Sequence, residues 1–124
     1  MIFLVLRAYM KLIYFDLYIG RGAFADLHAK VRNYSVDKNS VAHGDVQRIC
    51  AAVDLACICY WKEVRCLQRS AATACLLKRQ GVPAQMVIGA QQIPFKAHAW
   101  VEVSGRVVND KPYIPEMYSV LERC

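Results

Sequence analysis

Three kinds of side chain that can act together on a carbonyl carbon follow one another in the second half of the chain. Cys66 opens a run with helical spacing, and His98 lies in an alternating, strand-like run. Asn109 and Asp110 end the next strand-like run. A thiol, an imidazole and an amide or carboxylate are the parts of a cysteine nucleophile, its general base and the group that orients the base. If the fold brings them together, the chain is a thiol enzyme that works through an acyl-enzyme.

Cys66 is predicted to lie in the first turn of a helix that runs from residue 66 to about residue 80 and stops at Gly81. The positive end of a helix dipole favours the thiolate, which is the reactive form of cysteine. Arg65 and Arg69 add positive charge beside it. The other five cysteines lack this placement, and they are Cys50, Cys57, Cys59, Cys75 and Cys124.

His98 alternates with Trp100 and Glu102 on one face of its predicted strand, whereas alanine and valine residues occupy the other face. The period of two therefore points the imidazole away from the expected core, towards solvent or a cleft. Because Trp100 is bulky and shares this face, it favours a shielded cleft.

The residue that orients His98 depends on the length of the turn at Ser104-Gly105. With a two-residue turn, Asn109 pairs with Trp100 and shares the face of His98. With a three-residue loop or a bulge, Asp110 takes that place, diagonal to His98 and within its reach. Since an amide or a carboxylate can hold a catalytic histidine, the pattern leaves both residues open.

The elements that must position these residues follow the order of an α+β domain, in which a cysteine-bearing helix packs on a small antiparallel sheet. Helical spacing covers residues 3–19, 22–33, 45–62 and 66–80, and strand-like alternation covers 84–89, 97–103 and 106–109. A polar connection at 33–44 divides an N-terminal helical segment, 1–44, from the core, 45–124. The first segment is expected to dock a partner or a substrate peptide.

Composition restricts the partners. The chain has 124 residues, is 56% hydrophobic and carries a formal charge of +6. The excess of apolar residues over what a small core can bury indicates a partner surface. The basic residues are scattered, which argues against nucleic acid and favours an acidic peptide or protein. Six cysteines without a CxxC pair indicate a reducing cytoplasm, with no disulfide and no metal site.

The apolar N-terminus is predicted to be a helix covered by the core or by a partner. Leu6, Met10, Ile13 and Leu17 recur at helical spacing. Arg7, Lys11 and Asp16 interrupt the apolar run, and it lacks a cleavage site of small residues. A signal peptide, a transmembrane span and membrane association are therefore not expected.

Together, several motifs resemble the lasso-peptide leader peptidases, which belong to the transglutaminase-like, papain-related superfamily. The resemblance covers residues 45–121, and its motifs are Cys66-Leu67-x-Arg69-Ser70, Leu77-Lys78-Arg79-x-Gly81, Val87-Ile88-Gly89, Pro94-Phe95-x-Ala97-His98-Ala99-Trp100-Val101-Glu102 and Val108-Asn109-Asp110. Gln68 departs from the proline expected in many relatives. The short chain resembles the stand-alone form, whose leader-recognition domain is a separate protein.

This resemblance implies a Cys66, His98 and Asp110 triad, and so it selects Asp110 over Asn109. It implies a cysteine protease that needs no metal or cofactor and hydrolyses one bond of a ribosomally made precursor to release the leader peptide. The implied partners are the precursor, a leader-recognition protein and an ATP-dependent cyclase. The backbone N–H of Cys66 is a candidate oxyanion donor, with Trp61 or Gln68 as a second.

Two other functions remain open from the sequence. An acyl-transferring, transglutaminase-like enzyme would use the same triad but pass the acyl group to an amine. A non-catalytic binding partner would keep Cys66 and His98 as core residues.

Overall fold

The computed structural model describes residues 2–36, 46–92 and 94–124, and it confirms the α+β class. In chain order its elements are α1 (Ile2–Gly20), α2 (Phe24–Asn33), α3 (Val46–Cys59), α4 (Cys66–Arg79), β1 (Ala84–Gln92), β2 (Phe95–Val103), β3 (Arg106–Val107), α5 (Ile114–Met117) and β4 (Ser119–Arg123). Most of the predicted connection at 33–44, and the predicted boundary between residues 44 and 45, lie outside the described residues.

The four strands form one antiparallel sheet in the order β3-β2-β1-β4. β1 and β2 are longer than predicted, and β3 ends two residues earlier than the predicted strand. Two further elements are not predicted from the sequence: β4, which pairs with the free edge of β1, and α5, which precedes β4. Both are short and lack a clear period, so only their contacts with the rest of the fold define them.

Helix α4 is the centre of the molecule. Every residue from Ser70 to Lys78 is buried, because β1 and β2 cover one side of the helix while α1 and α3 cover another. Small residues such as Ala71 and Ala74 let these neighbours approach closely. A helix that packs against neighbours on several sides cannot shift easily along its axis. The position of its first residue, Cys66, is therefore fixed relative to the sheet.

Helix α1 covers the core with one face and exposes another. Ala8, Leu12 and Phe15 are fully buried, whereas the stripe predicted to be covered, at Leu6, Met10, Ile13 and Leu17, is exposed. Within the described residues, no helix has both the length and the hydropathy required to cross a bilayer.

Asp16 anchors α1 to the segment that precedes Cys66. Its carboxylate accepts a hydrogen bond of 2.9 Å from the Tyr60 hydroxyl and lies 2.9 Å from Lys62 Nζ. Burial raises the pKa of Asp16, but the hydrogen bonds from Lys62 and Tyr60 outweigh that effect and leave the pKa below its usual value. Burial, together with the bond to Asp16, raises the pKa of Tyr60 to about 12. The charge that interrupts the apolar run therefore has a structural role.

The sheet face that carries Trp100 is covered as well. Trp100 and Val87 are fully buried in a second apolar cluster with Ile114, against which Tyr118 packs. The prediction that this face points away from the main core is correct, but the face does not lie open to solvent. The residues of α5 and the bend after it form the cover, and their position is not predicted by the sequence.

Candidate active site

Cys66 is the first residue of α4, as predicted. Arg65 is extended, and its backbone N–H donates to Gln68 Oε1 at 3.4 Å, which supports the start of the helix. Gln68 Nε2 donates to the Leu12 carbonyl of α1 at 2.7 Å. Gln68 is therefore a buried link between helices, and one N–H of its amide is already bonded to α1. Trp61, the other residue suggested as a second oxyanion donor, is 71% exposed.

His98 and Asp110 are joined by a hydrogen bond of 2.6 Å between Nε2 and Oδ2. The backbone N–H of Lys111 donates to the other carboxylate oxygen at 2.8 Å, so both oxygens of Asp110 have a partner. Burial raises the pKa of Asp110, but the bonds from His98 and Lys111 outweigh burial and hold that pKa below its usual value. The carboxylate is therefore ionised at neutral pH and suited to orient a histidine and stabilise its cation.

Asn109, which was considered as the residue that orients His98, instead bonds to Val101 and Ser70. Its Oδ1 accepts from the Val101 backbone N–H at 2.8 Å, and its Nδ2 donates to Ser70 Oγ at 3.1 Å. Ser70 Oγ donates in turn to the Ala99 carbonyl at 3.0 Å. This buried network ties α4, β2 and the residues after β3 together, and it fixes the backbone from which Asp110 extends.

The turn before these residues has the two-residue form. Val103 pairs with Arg106, and Ser104 and Gly105 both have a positive φ, 52° and 77°. Such a turn was expected to bring Asn109, and not Asp110, to His98. The β3 ladder with β2 ends at Val107, however. After a last backbone hydrogen bond of 2.9 Å from the Val108 N–H to the Val101 carbonyl, the chain bends so that the carboxylate of Asp110 reaches the ring.

The loop that carries Asp110 is also tied to the helices through Arg69. Its Nη2 donates to the Asn109 carbonyl at 3.0 Å and to Asp54 Oδ1 of α3 at 2.6 Å. From the sequence, Arg69 was expected to add positive charge beside Cys66. In the structure its guanidinium joins α3 to the loop after β3.

The ring of His98 lies against aromatic neighbours. The ring centroids of Trp100 and Tyr118 are 6.1 and 5.4 Å from that of His98, with interplanar angles of 26° and 23°. The Trp100 indole is fixed by burial and by a hydrogen bond of 2.8 Å from its Nε1 to Glu102. These contacts limit the orientations that the imidazole can adopt.

Gly89 makes room for these rings. It pairs with His98 across β1 and β2, and β1 shifts its register with β4 beside it. A Cβ atom at this position would lie 2.7 Å from the Trp100 indole and 2.8 Å from Tyr118 Cβ. The Trp100 ring is buried and Tyr118 Cβ is bonded directly to the backbone, so neither can move aside easily.

Gly89→Ala is therefore expected to lower the free energy of unfolding by about 1–3 kcal/mol, through overpacking against Trp100. Urea denaturation followed by tryptophan fluorescence measures this. Gly20→Ala is the matched control, since a Cβ there would meet no atom within 4 Å. Equal stability of the two variants would contradict the assigned role of Gly89.

Cys66 and His98 line the same surface cavity, whose volume is about 440 Å³. Asp110 lies behind His98 and is not among the residues that line the cavity. The structure thus places Cys66 and His98 on the wall of one cavity, with Asp110 bonded to the imidazole of His98. The remaining lining residues are Ile19, Phe24, His28, Arg65, Leu67, Ile88, Ala97 and Ala99.

The other cysteines have different surroundings. All six cysteines are free. Burial raises the pKa of the Cys50 and Cys75 thiols to about 11, and it also raises the pKa of Cys57 and Cys124. These four thiols are therefore protonated at neutral pH and poor nucleophiles. Cys59 is exposed at the end of α3, and it does not line the cavity.

Two comparisons with known proteins identify relatives of this chain. The family model described as "Transglutaminase-like superfamily" matches residues 10–123. Over 56 residues the chain is 41% identical to the microcin J25-processing protein McjB of Escherichia coli. The aligned segment covers 45% of this chain and 27% of McjB, so it spans about a quarter of that relative's length. No solved structure is significantly similar to this chain.

Proposed function

This chain belongs to the transglutaminase-like superfamily, and from that premise we propose that it is a cysteine peptidase that removes the leader from a lasso-peptide precursor. The observation that carries the proposal is the hydrogen bond of 2.6 Å between His98 and Asp110, beside a cavity that Cys66 and His98 both line. Similarity to a microcin J25-processing protein supports a peptide precursor as the substrate.

In the proposed reaction, Cys66 is the nucleophile and His98 the general base. Because Nε2 of His98 is bonded to Asp110, Nδ1 is the ring nitrogen that takes the proton of the thiol. The thiolate attacks the carbonyl carbon at the junction between leader and core. The C–N bond then breaks, and His98 passes its proton to the leaving amine. Water, deprotonated by His98, hydrolyses the thioester and releases the leader as a carboxylic acid.

Asp110 and the start of α4 stabilise the charges that develop. The lowered pKa of Asp110 means that the carboxylate stays ionised while His98 becomes a cation. The backbone N–H of Cys66 is one of the first four in the helix, which have no acceptor within it. It is the proposed donor to the oxyanion of the tetrahedral intermediate.

The proposed partners follow from the same function. A separate leader-recognition protein would deliver the precursor, and an ATP-dependent cyclase would use the released core peptide, both in the cytoplasm. We assign docking to the N-terminal segment, 1–44, and the chemistry to the core, 45–124. The exposed apolar residues of α1, among them Phe3 and Met10, support the docking role.

Mass spectrometry of a precursor peptide tests the proposal. The precursor, the leader-recognition protein and this chain are incubated in water enriched in ¹⁸O. We expect cleavage at one bond and one ¹⁸O atom in the new carboxylate of the leader. An adduct between the leader and an added amine would indicate acyl transfer instead. An intact precursor that nevertheless binds would favour a non-catalytic partner.

A further inference from the structure

One wall of the cavity beside Cys66 has an apolar character that the peptidase chemistry does not require. Ile19 at the end of α1, Phe24 at the start of α2, and Leu67 and Ile88 of the core all line this cavity. We infer that these four residues form a subsite for a large apolar side chain of the substrate, within two residues of the scissile bond. This inference rests on the proposed function.

The lining supports a side chain as the occupant. Ala97 and Ala99 are small, so they leave space in front of Ile88, and the cavity of about 440 Å³ lies within the usual range for ligand sites. The imidazole of His28 is paired with Glu122, Nδ1 to Oε2 at 3.1 Å, so its polar group already has a partner. An apolar group in this space would displace water from the apolar side chains that line it.

Continuity with the thiol indicates which molecule supplies that side chain. Leu67 directly follows Cys66, and His98 lines the same cavity, so a group bound here lies beside the bond that the thiolate attacks. Phe24 is 46% exposed, and its ring would lose water contact when an apolar residue of the substrate packs against it.

The wall is also held in place relative to Cys66. Gln68 bonds to the Leu12 carbonyl, and the Tyr60 hydroxyl bonds to Asp16, so α1 is attached on both sides of the cysteine in sequence. Ile19 lies less than one helical turn beyond Asp16. A subsite on such an element can select a side chain by its size, because the wall does not have to be ordered by binding.

Cleavage of a peptide series tests the inference. The two residues before the scissile bond and the two residues after it are replaced one at a time by Leu, Ala or Asp, and kcat/KM is measured for each peptide. For the wild type we expect one position at which Leu is preferred over Ala and Asp. Phe24→Ala and Ile19→Ala are each expected to lower kcat/KM about 10-fold for the Leu peptide, and much less for the Ala peptide.

The control is Ile58→Ala, which truncates an exposed isoleucine on α3 and should leave both values unchanged. The rate of Cys66 alkylation by iodoacetamide should be the same in all variants, which shows that the nucleophile is intact. An equal loss for the Leu and Ala peptides, or acceptance of Asp at every position, would overturn the subsite.

Failure of the proposed function has a different signature, because then no peptide is cleaved by the wild type. Calorimetric binding of the same peptides to Cys66→Ala still reports on the subsite in that case. Tighter binding of the Leu peptide that Phe24→Ala abolishes would support it. Equal binding of the Leu, Ala and Asp peptides would overturn it independently of cleavage.

Discussion

Cys66→Ala is expected to lower the rate of precursor cleavage by about 10⁴-fold or more, because it removes the proposed nucleophile. Binding of the precursor and the thermal unfolding midpoint should change little, since the thiol lies at a cavity wall and not in the core. Single-turnover cleavage measured by mass spectrometry, together with calorimetric binding of the precursor, separates the loss of chemistry from a loss of affinity.

Cys59→Ala is the matched control for this experiment. It removes a thiol that is exposed at the end of α3 and lies outside the cavity, so cleavage should continue at the wild-type rate. Cleavage by Cys66→Ala at an undiminished rate would show that the nucleophile is assigned wrongly. Loss of cleavage in both variants would point to a structural or redox role of the thiols.

Asp110→Asn is expected to have the second largest effect, a decrease in kcat of about 10²–10⁴-fold with KM nearly unchanged. An ionised carboxylate accepts a hydrogen bond from the N–H at His98 Nε2 and stabilises the imidazolium, whereas the amide of asparagine can donate a hydrogen bond to that nitrogen. The amide therefore favours the tautomer that cannot take the proton of Cys66 at Nδ1. Steady-state kinetics with a peptide substrate measure the effect.

The same substitution should change how stability depends on pH. The pKa of Asp110 in the folded chain is below its ordinary value of 3.8, since the bonds from His98 and Lys111 outweigh burial. The stabilisation is therefore complete above pH 3.8 and is lost as the pH falls through the lower, folded-state value. Below pH 3.8 the wild type should lose more stability than Asp110→Asn, as urea denaturation at a series of pH values would show.

Asn109→Ala provides the contrast that identifies the orienting residue. This variant leaves the buried Val101 N–H without its acceptor and removes the bond to Ser70 Oγ, which costs about 1–3 kcal/mol of stability. Its folded fraction should nevertheless retain more activity than Asp110→Asn. If Asn109→Ala were stable but inactive while Asp110→Asn kept full activity, Asn109 would be the orienting residue.

Much of the fold could be predicted from local patterns in the sequence. The start of the helix at Cys66, its end at Arg79 and the order of helices before strands follow from spacing and from Gly81. A hairpin at Ser104-Gly105 follows from its residue types, whereas its two-residue length is known only from the structure. Membership of the superfamily, predicted from the combined motifs, is confirmed by the family match over residues 10–123.

Other features depend on contacts between distant parts of the chain. The alternation around His98 predicted a face turned away from the main core, but not its cover by Ile114 and Tyr118. The role of Gln68 required Leu12, which lies 56 residues earlier in the chain. The hydrophobic period of a helix or strand cannot predict either set of contacts, because it describes one element and not the residues that pack against it.

The choice between Asn109 and Asp110 shows most clearly what the sequence predicts and what depends on the tertiary structure. The sequence by itself determined that a hairpin carries an amide and a carboxylate back towards His98. It did not determine that Ser70 and Val101 would bind the amide of Asn109, nor that the strand would end at Val107. A buried amide must find partners, and those partners come from α4 and β2. The tertiary structure therefore decided which side chain reaches the imidazole.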